Sequence, residues 1–316
     1  RIESIEIPAS VEIIGPNAFR ATSLKNVSFD TNSKLKVLTS QGLGSRDVVY
    51  YPIGTEYIES GMKKFSSSYS EPEGAFSQCI FTDIILPKSL EYIGPETFAC
   101  SSVISVSFEE GSLLKEIGEL SFANSAITSI AIPAKVYRIA GAAFHNCTSL
   151  FTIEFDKLSA LETIEYSLYN HSPNDRAQLN GAFYGCTALT SITLPASLTE
   201  IAKYSFYGCT ALKTIKFSEN ATLATIGDYG FYDCPVLHTV DMSNCNQVTK
   251  IGESAFKSSD EMRLFKIGTV VPPTCGSTPF GAVGNYSVLK VPDGAVTQYQ
   301  SASGWKDFAS ITGLNE

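Results

Sequence analysis

Apolar residues recur along the chain at positions 1, 4 and 6 of a short segment. The two-residue step between positions 4 and 6 places both side chains on one face of a strand. A second apolar pair, such as Leu90 and Ile93, follows this segment, and an Ala-Phe pair comes next. The pattern predicts one short strand in each unit. Clear examples are Leu24-x-x-Val27-x-Phe29, Phe81-x-x-Ile84-x-Leu86, Leu150-x-x-Ile153-x-Phe155, Leu212-x-x-Ile215-x-Phe217 and Leu237-x-x-Val240-x-Met242.

The same unit repeats through most of the sequence. The heptapeptide Phe-Tyr-Gly-Cys-Thr-Ala-Leu occurs at 183–189 and again at 206–212, a period of 23 residues. Self-similarity at a fixed period predicts a solenoid, in which stacked units bury one continuous core that no single unit could form. The repeating phenylalanine can be followed as Phe19, Phe76, Phe98, Phe122, Phe144, Phe183, Phe206, Phe231 and Phe256.

Two intervals between these phenylalanines are longer than the period. They precede Phe76 and Phe183, and they predict insertions at about 39–73 and 166–180, roughly 33 and 15 residues beyond a repeat of about 24. Both insertions fall after the second apolar pair and before a Gly-Ala-Phe sequence. Insertions at one phase of a solenoid project from one side, which is often the binding side.

The regular pattern weakens after Met262. Leu264-x-x-Ile267 and Leu289-x-Val291 still predict strands, and residues 296–301 predict a short helix before the single tryptophan, Trp305. A solenoid needs an atypical terminal segment to cover the open end of its core. We therefore expect a repeat array over 1–262 and degenerate repeats with a C-terminal cap over 263–316.

The order Pro, then Ile-Gly, then Ala-Phe, then Cys recurs many times and covers nearly the whole chain. It resembles the BspA-like, or Treponema-type, leucine-rich repeats of bacterial surface proteins, whose pattern is L-x-x-I-x-I-P-x-S-V-x-x-I-G-x-x-A-F-x-x-C. The resemblance implies a leucine-rich repeat solenoid: a right-handed superhelix with a parallel sheet of one short strand per repeat. Short second strands or 3₁₀ turns would form the other face, with few long helices. It also implies an extracellular or cell-surface adhesin or ligand-binding protein without catalytic activity.

The composition is typical of a folded protein and limits the classes of partner that we expect. The chain has 316 residues, 44% hydrophobic and 17% charged, with a net charge of −9. Its lysines and arginines are scattered, so we expect no nucleic-acid binding. No apolar run reaches the roughly 18 residues of a membrane helix. The first residues already belong to a repeat, so we expect a trimmed or mature fragment without a signal peptide, and a monomer.

Five of the eight cysteines follow the repeating phenylalanine by three residues: Cys79, Cys147, Cys186, Cys209 and Cys234. Thr22, Ser125 and Ser259 occupy the same position in other repeats. A position that accepts Cys, Ser or Thr suits a small, weakly polar side chain in a tight inner turn. Parallel side chains on adjacent coils have the wrong orientation for a disulfide, although their spacing would allow one. Buried free thiols are therefore the favoured prediction.

Residues with catalytic or metal-binding spacing are missing. His145 and Cys147 are close in sequence, but neither has the third group that an activated nucleophile needs. Residues 30–33 begin like a calcium loop and lack its glycine and closing glutamate, so a strand-ending turn is the better interpretation. A hydrolase would need a clustered acid–base pair. We predict no catalytic residues, no metal and no cofactor, and hence no enzyme.

Tyrosines mark the candidate partner-binding residues, because their rigid amphipathic rings suit contacts with proteins or sugars. One group lies in the insertions: Tyr50, Tyr51, Tyr57, Phe65, Tyr69, Tyr166 and Tyr169. A second recurs on neighbouring coils: Tyr184, Tyr207 and Tyr232 follow the repeating phenylalanine, and Tyr204 and Tyr229 precede it by two. The second group predicts one stacked patch if that turn faces solvent. Plain packing between coils remains the alternative.

The sequence thus supports a bacterial cell-surface or secreted module that binds a protein or a glycan. The alternative is a rigid spacer of about ten coils, roughly 50 Å long at about 4.8 Å per coil, which presents another domain and binds nothing itself. The outward-facing column of small hydroxyl residues on the strands, such as Ser105 and Thr152, offers area without a hot spot.

Overall fold

Each repeat forms one three-sided coil. The computed structural model describes residues 2–39, 72–167, 181–283 and 285–316. On the first side every coil contributes a four-residue strand whose second residue points into the core. These strands are β1 (Ser4–Ile7), β3 (Asn26–Phe29), β5 (Asp83–Leu86), β7 (Ser105–Phe108), β9 (Ser129–Ile132), β11 (Thr152–Phe155), β13 (Ser191–Leu194), β15 (Thr214–Phe217), β17 (Thr239–Met242), β19 (Leu264–Ile267), β21 (Val288–Val291) and β22 (Ser310–Gly313).

The second side is a parallel sheet of two-residue strands. It is continuous over ten strands of the described chain, and it crosses both insertions without a break. Its members are β2 (Ile13–Ile14), β4 (Val37–Leu38), β6 (Tyr92–Ile93), β8 (Glu116–Ile117), β10 (Arg138–Ile139), β12 (Thr163–Ile164), β14 (Glu200–Ile201), β16 (Thr225–Ile226), β18 (Lys250–Ile251) and β20 (Thr274–Cys275). The predicted parallel solenoid with short second strands is therefore confirmed.

The first side is divided into sheets of two, four and six strands in the described residues. The divisions fall between β3 and β5 and between β11 and β13, and only half of β7 pairs with β9. Each of these steps leads to a strand that a proline follows: Pro87, Pro133 or Pro195. Where another residue stands there, its N–H donates to the preceding coil, as Ser218 does to the Leu194 carbonyl at 2.9 Å. Proline has no such donor, which removes one bond from the ladder. The two full divisions are also the coil steps that contain the insertions, whereas the step to β21, which Pro292 follows, stays paired over three residues.

The third side holds the repeating phenylalanine and differs from the single helical or 3₁₀ turn that the short segment predicts. Around Phe206, Tyr204 has φ 60° and Gly208 has φ 69°, and most other coils repeat this pair of left-handed residues. A right-handed helical turn cannot continue through them. Their N–H groups instead reach the next coil: Tyr204 donates to Asp228 O at 3.1 Å, Phe206 to Gly230 O at 2.8 Å and Gly208 to Tyr232 O at 2.9 Å. This side therefore has its own ladder between coils.

Inside the coils the phenylalanine rings form one stacked column. Neighbouring ring centroids are 4.9–5.8 Å apart, and the planes differ by 16° at most. All but the first of these rings are buried. Phe98, Phe144 and Phe206 therefore share one environment, as the solenoid requires. The column runs through Phe19, Phe76, Phe98, Phe122, Phe144, Phe183, Phe206, Phe231, Phe256 and Phe280.

The cysteine column lies beside this stack. The thiol of Cys147 donates to Phe122 O of the preceding coil at 2.9 Å, and that of Cys209 donates to Phe183 O at 3.4 Å. Ser101, at the same position, donates its hydroxyl to the carbonyl of its own Phe98 at 2.7 Å. The position therefore suits a small side chain with one donor for a nearby phenylalanine carbonyl. The eight cysteines all lie in the described ranges and all are free thiols. Burial raises the pKa of Cys147 and of Cys209 to about 12.

The C-terminal end covers the core with aromatic side chains. β19 and β20 continue the coil register, followed by β21, a 3₁₀ turn (Asp293–Ala295) and the predicted short helix α1 (Val296–Ser301). Trp305 lies 5.0 Å from the Phe280 ring, and its indole N–H donates to Pro273 O at 2.9 Å. The division of the chain at residue 263 stays a prediction. No helix among the described residues has the length and apolarity to cross a membrane.

Replacing a ring inside the stack should cost more stability than replacing the half-exposed ring at its start. We expect Phe206→Ala to lower the free energy of unfolding by about 3–5 kcal/mol, because it leaves a cavity between two buried rings. Phe19→Ala, with one stacked neighbour, should lose clearly less. Urea-unfolding midpoints and slopes measure both. Equal losses would show that the stack does not behave as one column.

The thiols should differ sharply in reactivity. Cys100 is exposed, whereas Cys79, Cys147, Cys186, Cys209, Cys234 and Cys245 are buried and Cys275 is half-buried. Because the reactive species is the accessible thiolate, Ellman's reagent at pH 8 should modify about one thiol quickly in the native protein. Unfolding should expose all eight. Cys100→Ser is the control, and rapid modification that persists in this variant would contradict the burial of the column.

Candidate functional site

Three of the predicted tyrosines form a stacked column on the third side of the solenoid. The ring centroids of Tyr184 and Tyr207 are 5.0 Å apart, and those of Tyr207 and Tyr232 are 4.9 Å apart. The structure adds His145, whose ring stacks on Tyr184 at 4.9 Å. Each of these residues directly follows the repeating phenylalanine. The position of His145 after Phe144 could therefore have identified it from the sequence.

Tyr204 and Tyr229 form a second, parallel row beside this column. Their rings stack at 5.2 Å and are inclined by 58° to Tyr207 and 59° to Tyr232, respectively. We call the five tyrosines and His145 the tyrosine surface. The left-handed backbone of Tyr204 and Tyr229 is not particular to this surface, because non-aromatic residues such as Glu96 and Leu120 share it in other coils. It recurs in most coils of the described chain, with Gly74 and Gly181 as exceptions.

These rings pack against neighbouring coils and are also partly exposed to solvent. All five tyrosines are half-buried. Burial is the main cause that raises the pKa of Tyr184, Tyr204 and Tyr207. For Tyr229 the main cause is the hydrogen bond that its hydroxyl makes to Glu253 Oε1 at 3.2 Å. The rings are therefore held in place by their neighbours, with part of each ring in solvent.

Charged side chains border the tyrosine surface. Lys203 Nζ lies 2.8 Å from Asp228 Oδ2, so these two charges compensate each other. Burial acts to raise the pKa of Asp228. The hydrogen bond from the Lys203 side chain, together with weaker favourable contacts, outweighs burial, so the pKa is lowered. Asp233 lies close enough to the column to contribute to the raised pKa of Tyr184 and Tyr207, after burial. Asp233 and Glu253 thus add negative charge beside neutral rings.

The two insertions leave the coil at the same edge, as predicted. The second is closed at its base by an antiparallel bridge between Tyr166 and Gly181. Both insertions end at a glycine that has no room for a side chain: a Cβ on Gly74 would lie 1.9 Å from Glu96 O, and one on Gly181 would lie 1.9 Å from Tyr204 O. The returning chain therefore approaches the next coil closely, and Gly181 does so at the tyrosine surface.

The structure places only one insertion tyrosine. Tyr166 is 37% exposed, and it is one of the groups that add to the burial-raised pKa of Tyr204, so it borders the tyrosine surface. The remaining predicted residues lie outside the described ranges and stay predictions. They are Tyr50, Tyr51, Tyr57, Phe65, Tyr69 and Tyr169.

A group of acidic residues lies between the two insertion bases. Glu96 accepts a hydrogen bond from the Glu73 N–H at 2.9 Å, directly after the first insertion. The hydroxyl of Ser167, directly before the second insertion, donates to Glu119. Arg138 holds Glu165 through two bonds of 2.8 and 2.7 Å. Burial is the main cause that raises the pKa of Glu119 to about 7; Arg138 opposes it, and Glu96 and Glu165 add to it.

His145, Cys147 and Asp30, whose spacing prompts a search for a nucleophile or a calcium loop, have structural roles. His145 lies in the tyrosine surface, whereas the Cys147 thiol points into the core and donates to a backbone carbonyl. A protonated thiol turned away from the imidazole is not an activated nucleophile. Asp30 Oδ1 accepts the Asn32 N–H at 2.8 Å, which is the predicted strand-ending turn. Among the described residues no group of three or more His, Cys, Asp or Glu side chains could hold a metal ion.

The strand side carries a shallow notch of about 470 Å³ between β11 and β13, where the sheet is interrupted. Four hydroxyl residues line it, together with the charged residues Glu154, Asp156 and Lys157. The notch lies where the strand ladder is interrupted, at the step that contains both Pro195 and the second insertion. The stacked aromatic rings make the tyrosine surface the better candidate site.

The raised pKa of Glu119 predicts a pH-dependent stability. Protonated Glu119 is favoured in the folded state, so its contribution is complete below the ordinary pKa near 4.5 and is lost as pH rises through about 7. We expect Glu119→Gln, which stays neutral, to be more stable than the parent at pH 8, by on the order of 1–3 kcal/mol, and similar to it at pH 4.5. Unfolding curves across this range measure the difference. A constant difference at every pH would refute the assignment.

The sequence matches the family model described as BspA type leucine rich repeat region, in six copies, over residues 1–68, 70–176 and 179–294. No curated protein matches it. Among solved structures, the pneumococcal vaccine antigen PcpA is 19% identical, with a TM-score of 0.48 over 99% of this chain. The chain spans 65% of that antigen's length.

Two further structures are similar over 99% of this chain. One is a leucine-rich cell surface protein from Faecalibacterium prausnitzii, 18% identical, with a TM-score of 0.39 and 79% of its own length covered. The other is a leucine-rich repeat protein from Bacteroides ovatus, 17% identical, with a TM-score of 0.44 and 75% of its length covered. The family model covers most of the chain. This chain belongs to the BspA-type leucine-rich repeat family.

Proposed function

We propose that this chain is a non-catalytic binding module of a bacterial cell surface or secreted protein, and that its tyrosine surface contacts a macromolecular partner. The observation that carries the proposal is the joining of five half-exposed tyrosine rings into one continuous surface on a rigid scaffold. Membership of a family of surface repeat proteins supports the location. The chain acts as a monomer in this proposal.

The stacked arrangement favours binding on energetic grounds. A tyrosine side chain buries a large area while it fixes only two torsions, and it carries a hydroxyl for a directional bond. In this surface the neighbouring rings already restrict those torsions, so binding loses little further side-chain entropy. Aromatic anchors of this kind are enriched among residues that dominate binding energy. The surface is therefore suited to recognition without any reaction.

The insertion tyrosines form the second part of the proposed site. Tyr166, bridged to Gly181 at the base of the second insertion, borders the tyrosine surface. Both insertions fall at the same phase of the repeat, and insertions at one phase can act together on one partner. Tyr50, Tyr51, Tyr57, Phe65, Tyr69 and Tyr169 are proposed as contacts on this basis.

A rigid spacer is the second candidate function. The observation in its favour is the unbroken ring column from Phe19 to Phe280, together with the continuous ten-stranded sheet. Such ladders resist bending, and a stiff rod can hold another domain away from a cell surface. A spacer would have no use for a surface of aromatic rings, so loss of the tyrosines should leave its function unchanged.

Replacing Tyr184, Tyr207 and Tyr232 together by alanine should abolish partner binding. Alanine fits this position, because Ala99 and Ala123 occupy it in other coils. We expect binding to an array of extracellular proteins and glycans to fall at least tenfold, the loss of two or more aromatic anchors. Tyr286→Ala, a 46% exposed tyrosine in the C-terminal region, is the matched control and should bind normally. Thermal unfolding checks that each variant is folded.

Two deletion variants test whether the insertions contribute to binding in addition to the coil surface. Removing residues 40–72 or 166–179 leaves each coil with the spacing that Ile14 and Phe19 show in an uninterrupted coil. Weaker binding after a deletion supports the insertion residues as contacts. Unchanged binding after both deletions rejects those residues, and unchanged binding of the alanine triple variant rejects the tyrosine surface and favours the spacer.

A further inference from the structure

The faces of the inner rings in the tyrosine column are hidden from a partner. Within the column each ring lies 4.9–5.0 Å from the next, with the planes 11–17° apart. Rings at this distance are in contact, so nothing can enter between them. The inner rings, Tyr184 and Tyr207, are covered on both faces, whereas in the second row Tyr204 and Tyr229 each cover one face of the other. The surface thus presents ring edges and hydroxyl groups to solvent.

This geometry is unsuited to sugars. A pyranose ring packs its C–H groups on the open face of an aromatic ring, and a cation also binds over the face. A column closed face to face offers no such platform along its length, and the second row has just two rings, which cover one face of each other. No run of open faces is therefore available for an oligosaccharide. The inner rings cannot take part in either kind of contact.

The same geometry suits side chains of a polypeptide. The edge of an aromatic ring carries partial positive charge, so it attracts the negative face of another aromatic ring in a T-shaped contact. Backbone carbonyls of a partner can accept bonds from the phenol hydroxyls. Tyr229 already donates its hydroxyl to Glu253, whereas the tyrosines of the other row and Tyr204 have no such bond in the described structure.

Carboxylates beside the rings define one more property of a suitable partner, namely its charge. Lys203 compensates Asp228, but within the described residues neither Asp233 nor Glu253 lies within ion-pair distance of a lysine or arginine. Lys257, in the coil after Tyr232, gives its backbone carbonyl to the Asp233 N–H, and its side chain is exposed. Lys250 also acts on Asp228, so the border carries three carboxylates and three lysines, and Asp233 and Glu253 are the carboxylates without an ion pair among the described residues. A basic side chain of a partner would find a carboxylate there.

We propose that the tyrosine surface binds a polypeptide segment that carries aromatic or aliphatic side chains next to a basic residue. This inference rests on the function proposed above and names its partner class. The aromatic side chains meet the ring edges, the backbone of the segment meets the hydroxyls, and the basic residue pairs with Asp233 or Glu253.

A displayed library of random twelve-residue peptides tests the inference. Peptides are selected on the full chain and counter-selected on the triple variant Y184A/Y207A/Y232A, and the same two proteins are applied to a glycan array. We expect the retained peptides to be rich in aromatic residues and arginine or lysine, and to bind the triple variant at least tenfold more weakly. Double variant D233N/E253Q should weaken them severalfold, whereas Y286A should not.

The outcomes separate this inference from the proposed function. Tyrosine-dependent binding of glycans, without tyrosine-dependent peptides, would overturn the polypeptide assignment and leave the binding function intact. Peptides that bind the triple variant equally, with no tyrosine-dependent glycan, would overturn both. Retained peptides that lack aromatic and basic residues, or that ignore D233N/E253Q, would contradict the chemistry assigned to the segment. Y207F and Y232F keep the stack, so weaker binding by these variants isolates the hydroxyl contacts.

Discussion

The structure depends on the match between two spacings. Parallel strands lie about 4.8 Å apart, and the phenylalanine rings of adjacent coils stack with centroids 4.9–5.8 Å apart. Hydrogen-bonded ladders and ring stacking can therefore follow the same repeat along all three sides of the coil. Because the core advances by one ring per coil, each coil is held by its neighbours and could not bury its apolar residues alone.

This constraint also creates the candidate site. Any residue at a given position of the repeat is brought within contact distance of its counterpart in the next coil. Tyrosines that are 23 or 25 residues apart in sequence thereby become a stacked column, and His145 joins it across an insertion. The surface needs no loop to position it, since the rings inherit their order from the buried phenylalanines beside them.

The insertions show how much variation the coil accepts. The short-stranded sheet pairs β4 with β6 and β12 with β14 as if no residues had been added. The chain leaves and returns at one edge, and the glycines at the return allow it to approach the following coil. The four-residue strands, by contrast, part at these same two coil steps, between β3 and β5 and between β11 and β13, where Pro87 and Pro195 also lack a backbone donor. The short-stranded sheet thus tolerates additions at the edge, while the strand side is interrupted where an insertion and a proline coincide.

The sequence by itself determined the solenoid, its strands, the phase of both insertions and the small polar column that contains Cys147. These features follow from periodic burial, which a linear pattern records directly. It also placed Tyr184, Tyr207 and Tyr232 in one column, yet it could not tell exposure from packing. Only the tertiary structure decided that the rings are stacked and half-exposed at once, that the faces of the inner rings are hidden, and that residues beside Phe206 are left-handed. Those properties depend on backbone angles and on which side of each turn meets solvent, and neither is written in the spacing of residue types.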